Sequence, residues 1–262
     1  MSETGCEGRY IYSVAKTSTK ENLGEIGIED NAVFTIPYKD IAAVVHSCPP
    51  RAYDTKDRAV AEEWVVEHSY VIDQAMKKFG SVLPFSFDVI LKGDDSAITN
   101  WLEKNYQILH KDMENVEGKA EFGIQIYYNY DDLASRILED DAELKGIKSR
   151  IGKESKGKAY LLQKKLDQTL KSMVSQKAAK MANQSLADIR SLADELKMDG
   201  KKRKPDSYKD LSLLASYACL VGDDKVQRLG EALDKINRQE GFKVRFTGPW
   251  APFSFVNCRE LS

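Results

Sequence analysis

Thr247-Gly248-Pro249-Trp250-Ala251-Pro252-Phe253-Ser254-Phe255-Val256 stands near the end of a chain of 262 residues, and the reading of the rest turns on it. Pro249 and Pro252 fix φ and remove backbone donors, so the segment cannot continue a helix or serve as a central strand. An ordered turn is expected. Trp250, Phe253 and Phe255 are costly to leave in water and need a surface from the chain or from a partner. Ordering about nine residues costs nearly as much as burying three rings returns, so such a tail docks only on a preformed groove. The expectation is a clasp at a seam between two domains, made by Gly248, Pro249, Trp250, Pro252, Phe253 and Phe255. A partner-binding arm is the other reading.

Working back from the tail, Phe242, Val244 and Phe246 alternate with Lys243 and Arg245 as a strand with one wet face. Gly241 closes the helix before it, whose buried stripe is Val226, Leu229, Leu233 and Ile236, with Asp223 as its expected cap. Leu211–Val221 is almost wholly apolar and reads as a central strand. From Tyr160 to Leu196 a helical stripe runs for about ten turns, long enough to predict a break near Asn183. Phe122–Tyr128 alternates as a strand. With Ala193–Met198 as a weak further strand, these elements follow the order of a ferredoxin-like unit with an enlarged helical crossover.

The N-terminal part holds strand candidates at Arg9–Ala15, Ala32–Ile36 and Ile41–Ser47, the last buried on both faces. An amphipathic helix runs from Ala61 to Phe79. Leu83–Leu91 follows as an alternating strand, with Pro84 placing its start at an edge. A second helix runs from Asp94-Asp95 to Gly118. The fold class expected is α+β in two domains: an N-terminal mixed unit over residues 1–118, a ferredoxin-like unit with a helical extension over 119–246, and a clasping aromatic tail over 247–262.

With 42% hydrophobic and 31% charged residues and a net charge of −2, the chain can bury a core and offers no global attraction to nucleic acid or an anionic membrane. Cys6, Cys48, Cys219 and Cys258 are scattered, and the N-terminus is polar, which leads to a cytoplasmic expectation. No apolar run approaches the ~20 residues a bilayer requires.

Gly152-Lys153-Glu154-Ser155-Lys156-Gly157-Lys158 satisfies G-x-x-x-x-G-K, but Ala159 lacks the hydroxyl that holds Mg²⁺ and the upstream stretch is helical in character. A nucleotide-binding enzyme using Gly152–Lys158 is kept as the alternative. His46 and Cys48 are too few for a metal site, and His68 reads as a hydrogen-bonded core histidine. The acid pairs Asp94-Asp95, Asp131-Asp132 and Asp223-Asp224 stand at expected helix starts. No nucleophile–base signature occurs, so no catalytic residue, cofactor or metal is expected. Lys201–Lys204 lacks interleaved aromatics and reads as a solvated loop. Between Lys145 and Lys204 basic residues outnumber acidic ones, a contact face for an acidic protein surface, and Tyr160, Leu161, Lys164 and Lys165 are its candidate interaction residues.

The tail is similar to the closing G-P-W-P-P-Y-[ST]-F signature of the gas vesicle protein F/L (GvpF/GvpL) family, with Ala251 and Phe253 as departures. Arg9-Tyr10-Ile11-Tyr12, Ala42-Ala43-Val44-Val45, a helical histidine, Val82-Leu83-Pro84-Phe85, Glu121-Phe122-Gly123 and Gly157-Lys158-Ala159-Tyr160-Leu161 resemble the family's elements in its order. Where the family usually has Arg-Phe-Gly, this chain has Ser86-Phe87-Asp88. The resemblance implies a non-catalytic accessory or minor structural component of gas vesicles, the gas-filled organelles that give aquatic microbes buoyancy. It also implies two α+β domains, contact with the small hydrophobic main shell protein and with other accessory proteins, and neither a nucleic-acid nor a membrane partner.

Overall fold

The structure, a computed structural model, describes residues 7–200 and 204–257. The chain divides into two compact units, one of residues 1–121 and 248–262, the other of residues 122–247.

In the first unit, strands β1 (Gly8–Ala15), β2 (Asn22–Glu25), β3 (Ala32–Tyr38) and β4 (Ile41–Cys48) precede helix α1 (Arg58–Phe79). Then come β5 (Val82–Pro84), β6 (Ile90–Lys92) and helix α2 (Asp95–Val116). The sheet runs β2-β3-β4-β1-β5, with β6 also on β1. All pairs on β1 are antiparallel. β1 is buried at every position and β4 at nearly every one, as the apolar Ile41–Val45 run requires of inner strands covered on both faces. Tyr10 and Tyr12 share a core cluster with Val71, Ile72 and Ala75 of α1. Arg9 reaches Asp95 in the first turn of α2 at 2.9 Å.

Two expectations for this unit are corrected. Leu83–Leu91 is two short strands with a turn between them, because Asp88 takes φ 70° and the chain folds over Tyr10, whose hydroxyl accepts the Asp88 N–H at 3.0 Å. Period-two spacing cannot register such a turn, since the apolar residues on both sides still face the core. β2 escaped detection because it is a short edge strand whose Gly24 sits at φ 94° beside a register shift. Pro84 does lie on an edge strand, as its missing donor requires.

The second unit takes most of β7 (Lys119–Tyr128), whose first residues count with the first unit. Helices α3 (Tyr130–Asp140), α4 (Ala142–Ile151) and α5 (Lys156–Leu192) follow, then β8 (Glu195–Met198), β9 (Ser212–Gly222), helix α6 (Asp223–Asn237) and β10 (Phe242–Trp250). The sheet order is β10-β7-β9-β8, with β9 inside as its apolar sequence demands and β8 antiparallel to it. The weak Ala193–Met198 candidate is therefore a strand.

α5 is one unbroken helix of 37 residues, against the expected break. Asn183 is exposed, so it interrupts nothing, while the buried stripe passes through Met181, Ser185, Ile189 and Leu192. The Ser185 hydroxyl donates to the Met181 carbonyl at 2.8 Å, which lets a polar residue occupy the buried face. Helix starts divide differently from expectation. Asp94 caps α2 by accepting from Ser96 and Ala97, but Asn129 caps α3 and Gly222 precedes α6 without a side-chain cap. Asp131, Asp132, Asp223 and Asp224 sit in first turns, where each carboxylate favours the helix dipole by roughly 0.3–1 kcal/mol.

Gly241 has φ 83°, and a Cβ there would lie 2.5 Å from Leu133 Cδ2. Gly241→Ala is expected to cost about 1–3 kcal/mol through backbone strain and overpacking. Denaturant unfolding of the variant, read beside the wild type, checks this.

Candidate functional site

The tail departs from a simple turn. Thr247 to Trp250 continue β10, which is an edge strand, so Pro249 breaks no inner ladder. From Gly248 onward the chain belongs to the first unit. Ala251, Pro252, Phe255 and Val256 are buried, Phe255 to 3% exposure, and Ala251 joins the cluster of Tyr10, Tyr12 and Ile72. Phe253 is half-buried against the same cluster. Trp250 is 49% exposed, which corrects the expectation that all three rings are buried. It stands over a cleft of about 200 Å³ lined by Ser69, Ile72, Asp73, Glu121 and Phe253.

Two buried carboxylates hold the tail, and sequence reasoning missed both. Glu121 accepts from the Ser254 N–H and hydroxyl, each at 2.7 Å. Asp112 accepts from the Asn257 backbone N–H and side-chain amide, each at 2.8 Å. A carboxylate that receives two donors is compensated for most of its lost hydration, so both acids tolerate burial. Asp112 is signalled only as an acid on an otherwise apolar face, beside Leu109, Met113 and Val116, and Glu121 only by its place in the Glu121-Phe122-Gly123 element.

Beneath α1 lies a buried network. Tyr10 accepts from Asp88 and donates to His68 Nδ1 at 2.9 Å, and His68 Nε2 donates to the Phe85 carbonyl at 3.2 Å. Tyr12 accepts from the Ile28 N–H at 2.9 Å and meets His46 Nδ1 at 2.7 Å, and His46 Nε2 meets the Tyr53 hydroxyl at 3.0 Å. His68 is thus the hydrogen-bonded core histidine its helical position suggested. Burial pushes both imidazoles down to about 4, so they are neutral near pH 7. It pushes the Tyr10 and Tyr12 hydroxyls up. Both nitrogens of His46 are engaged by tyrosines, so His46 and Cys48 do not form a metal pair. Among the described residues no group of three or more histidine, cysteine or acidic side chains converges on a metal position.

Gly152–Lys158 joins two helices. Gly152 ends α4 and Ser155 precedes α5, so the strand that sets a phosphate loop is not there. Just beyond it Tyr160 and Leu161 are 68% and 65% exposed, with Lys164 and Lys165 exposed beside them on α5. Of the basic run, Lys201, Lys202 and Arg203 lie outside the described residues, and Lys204 donates to the Lys209 and Leu211 carbonyls. Cys6 and Cys258 also lie outside the described residues, while Cys48 and Cys219 are buried.

Residues 8–257 match the model of the family described as gas vesicle synthesis protein GvpL/GvpF. The chain belongs to the GvpL/GvpF family. It is 31% identical to gas vesicle protein L1 of Halobacterium salinarum, covering 97% of this chain and 92% of that one. Gas vesicle protein L of Haloferax mediterranei is 30% identical, with 97% and 88% covered. The fold is that of the crystal structure of gas vesicle protein GvpF from Anabaena, with a TM-score of 0.68 over 98% of this chain and 97% of that one at 16% identity. In this GvpL/GvpF chain Asp88, in the Ser86-Phe87-Asp88 stretch, sits at φ 70°. That left-handed backbone is one that aspartate tolerates better than most side chains, and the Asp88 carboxylate accepts the Tyr53 N–H at 2.9 Å. No helix among the described residues is long and apolar enough to cross a membrane.

Proposed function

We propose that this chain is a non-catalytic, cytoplasmic gas vesicle accessory protein that binds the small hydrophobic shell protein and supports vesicle assembly, or remains as a minor structural component. The observation that carries this reading is the family match over nearly the whole chain, 8–257. A shell protein with apolar faces and open strand edges aggregates before assembly, so holding it in solution is a physically sensible task. The order β10-β7-β9-β8, with α3–α5 after β7 and α6 after β9, supports reading the second unit as ferredoxin-like with a helical extension. Exposed Tyr160 and Leu161 flanked by Lys164 and Lys165 offer an apolar contact inside a basic field, which suits shell or accessory partners with acidic rims. The tail is the second proposed contact: Phe255 anchors it, and the half-exposed Trp250 faces outward.

Co-expression with the shell protein followed by affinity capture tests this. Capture is expected at both low and high salt, because the apolar part is unscreened. Tyr160→Ser with Leu161→Ser is expected to lower recovery several-fold, two exposed apolar contacts being worth about 1 kcal/mol or more. No association at either salt concentration overturns the reading.

A further inference from the structure

In α1, Glu62, Glu63, Glu67 and Asp73 stand with no lysine or arginine between Arg58 and Lys77. Val66, 67% exposed, and Tyr70, 49% exposed, occupy the same outer face as Ser69 and Asp73, at helical spacings of three, four and seven. Ser69 and Asp73 in turn line the cleft beside Trp250. This surface of the first unit is apolar and aromatic at its centre and acidic at its edge. α5 has the opposite character: seven lysines and one aspartate stand from Lys156 to Lys180, around the exposed Tyr160 and Leu161.

From this complementarity we infer that the outer face of α1, with Trp250, takes the basic face of α5 from a second copy of the chain. The two faces differ, so the contact is head-to-tail and each bound copy leaves one face of each kind free. Association therefore proceeds beyond a dimer or closes into a ring. Tyr160 and Leu161 meet Val66, Tyr70 and the Trp250 cleft, while Lys164 and Lys165 meet Glu63 and Asp73. Like charges oppose the alternatives in which α1 meets α1 or α5 meets α5. The inference uses the α5 face assigned above to shell-protein contact, so self-association and shell-protein binding compete for it.

The test uses the purified full-length chain without shell protein, so its failure is separate from failure of the capture experiment. Sedimentation velocity at rising concentration is expected to show species beyond the monomer at low salt, with association weakened about tenfold at high salt as the charge pairs are screened. Lys164→Glu with Lys165→Glu, and separately Glu63→Lys with Asp73→Lys, are each expected to weaken association about tenfold, the worth of two ion pairs of roughly 0.7 kcal/mol. Mixing the two variants juxtaposes acidic with basic faces again and restores association, which also shows that both are folded. A wild-type chain that stays monomeric throughout overturns the inference. So does a pair of variants that associates like the wild type, or a mixture that stays monomeric. A closed dimer lost in one variant and not recovered on mixing replaces it with a two-fold contact.

Discussion

Taking the protein from neutral pH to about pH 4 is expected to remove on the order of 3 kcal/mol of stability from the first unit for each of His46 and His68. Burial holds both imidazoles at about 4, against an ordinary value of 6.5. Between these values the unfolded chain binds protons that the folded chain refuses, so stability rises with pH across that window and the gain is complete above 6.5. Below about 4 it is gone. The cost is structural as well as electrostatic, because His68 Nδ1 and one nitrogen of His46 accept hydrogen bonds in the network and a proton there evicts the donor. Asp95 contributes in the same direction at still lower pH: burial opposes its charge, but Arg9 and Lys20 overcome that and hold its carboxyl below the ordinary 3.8.

Urea unfolding at a series of pH values, followed by fluorescence, measures the slope. His68→Gln, which keeps a donor and an acceptor, is expected to remove about half of it while lowering stability at neutral pH. A slope unchanged in that variant would assign the acid sensitivity elsewhere.

Phe255→Ala is expected to cost about 3–5 kcal/mol, whereas Trp250→Ala costs about 2 kcal/mol. Phe255 is 3% exposed, so truncation opens a cavity in the first unit. Trp250 already gives half its surface to water, so only about half of a tryptophan's apolar area is lost with it and no cavity opens. Truncating Phe255 also slackens the segment that presents Ser254 to Glu121 and Asn257 to Asp112, and leaves two buried carboxylates with weakened partners. Melting temperatures of the two variants check the contrast. If Trp250→Ala proved the more destabilising, the exposed ring would be a structural anchor and the partner-contact reading of the tail would fall.

The N-terminal elements were legible because their signals are local. Ile41–Val45 reads as an inner strand from its unbroken apolar run, and β4 lies between β3 and β1. His68 reads as a core histidine from its place on the apolar face of α1. The split of Leu83–Leu91 was illegible because a left-handed Asp88 leaves the alternation of apolar residues intact on both sides. The unbroken α5 was misjudged because length statistics suggested a stop where no side chain imposes one. The cap of α6 was misassigned by one position, since acids serve equally well in a first turn as before it.

The sequence by itself determined the α+β elements, the family through motifs taken in order, and the missing hydroxyl at Ala159 that weakens Gly152–Lys158 as a phosphate loop. Each of these depends on residue type, spacing or pattern within a short window. Tertiary structure alone decided how the tail is held and which of its rings faces water. Ser254 meets Glu121 across 133 residues and Asn257 meets Asp112 across 145. Such pairs leave no periodicity to read, because a carboxylate on an apolar face is a defect locally and becomes an anchor only when the chain's far end arrives with two donors.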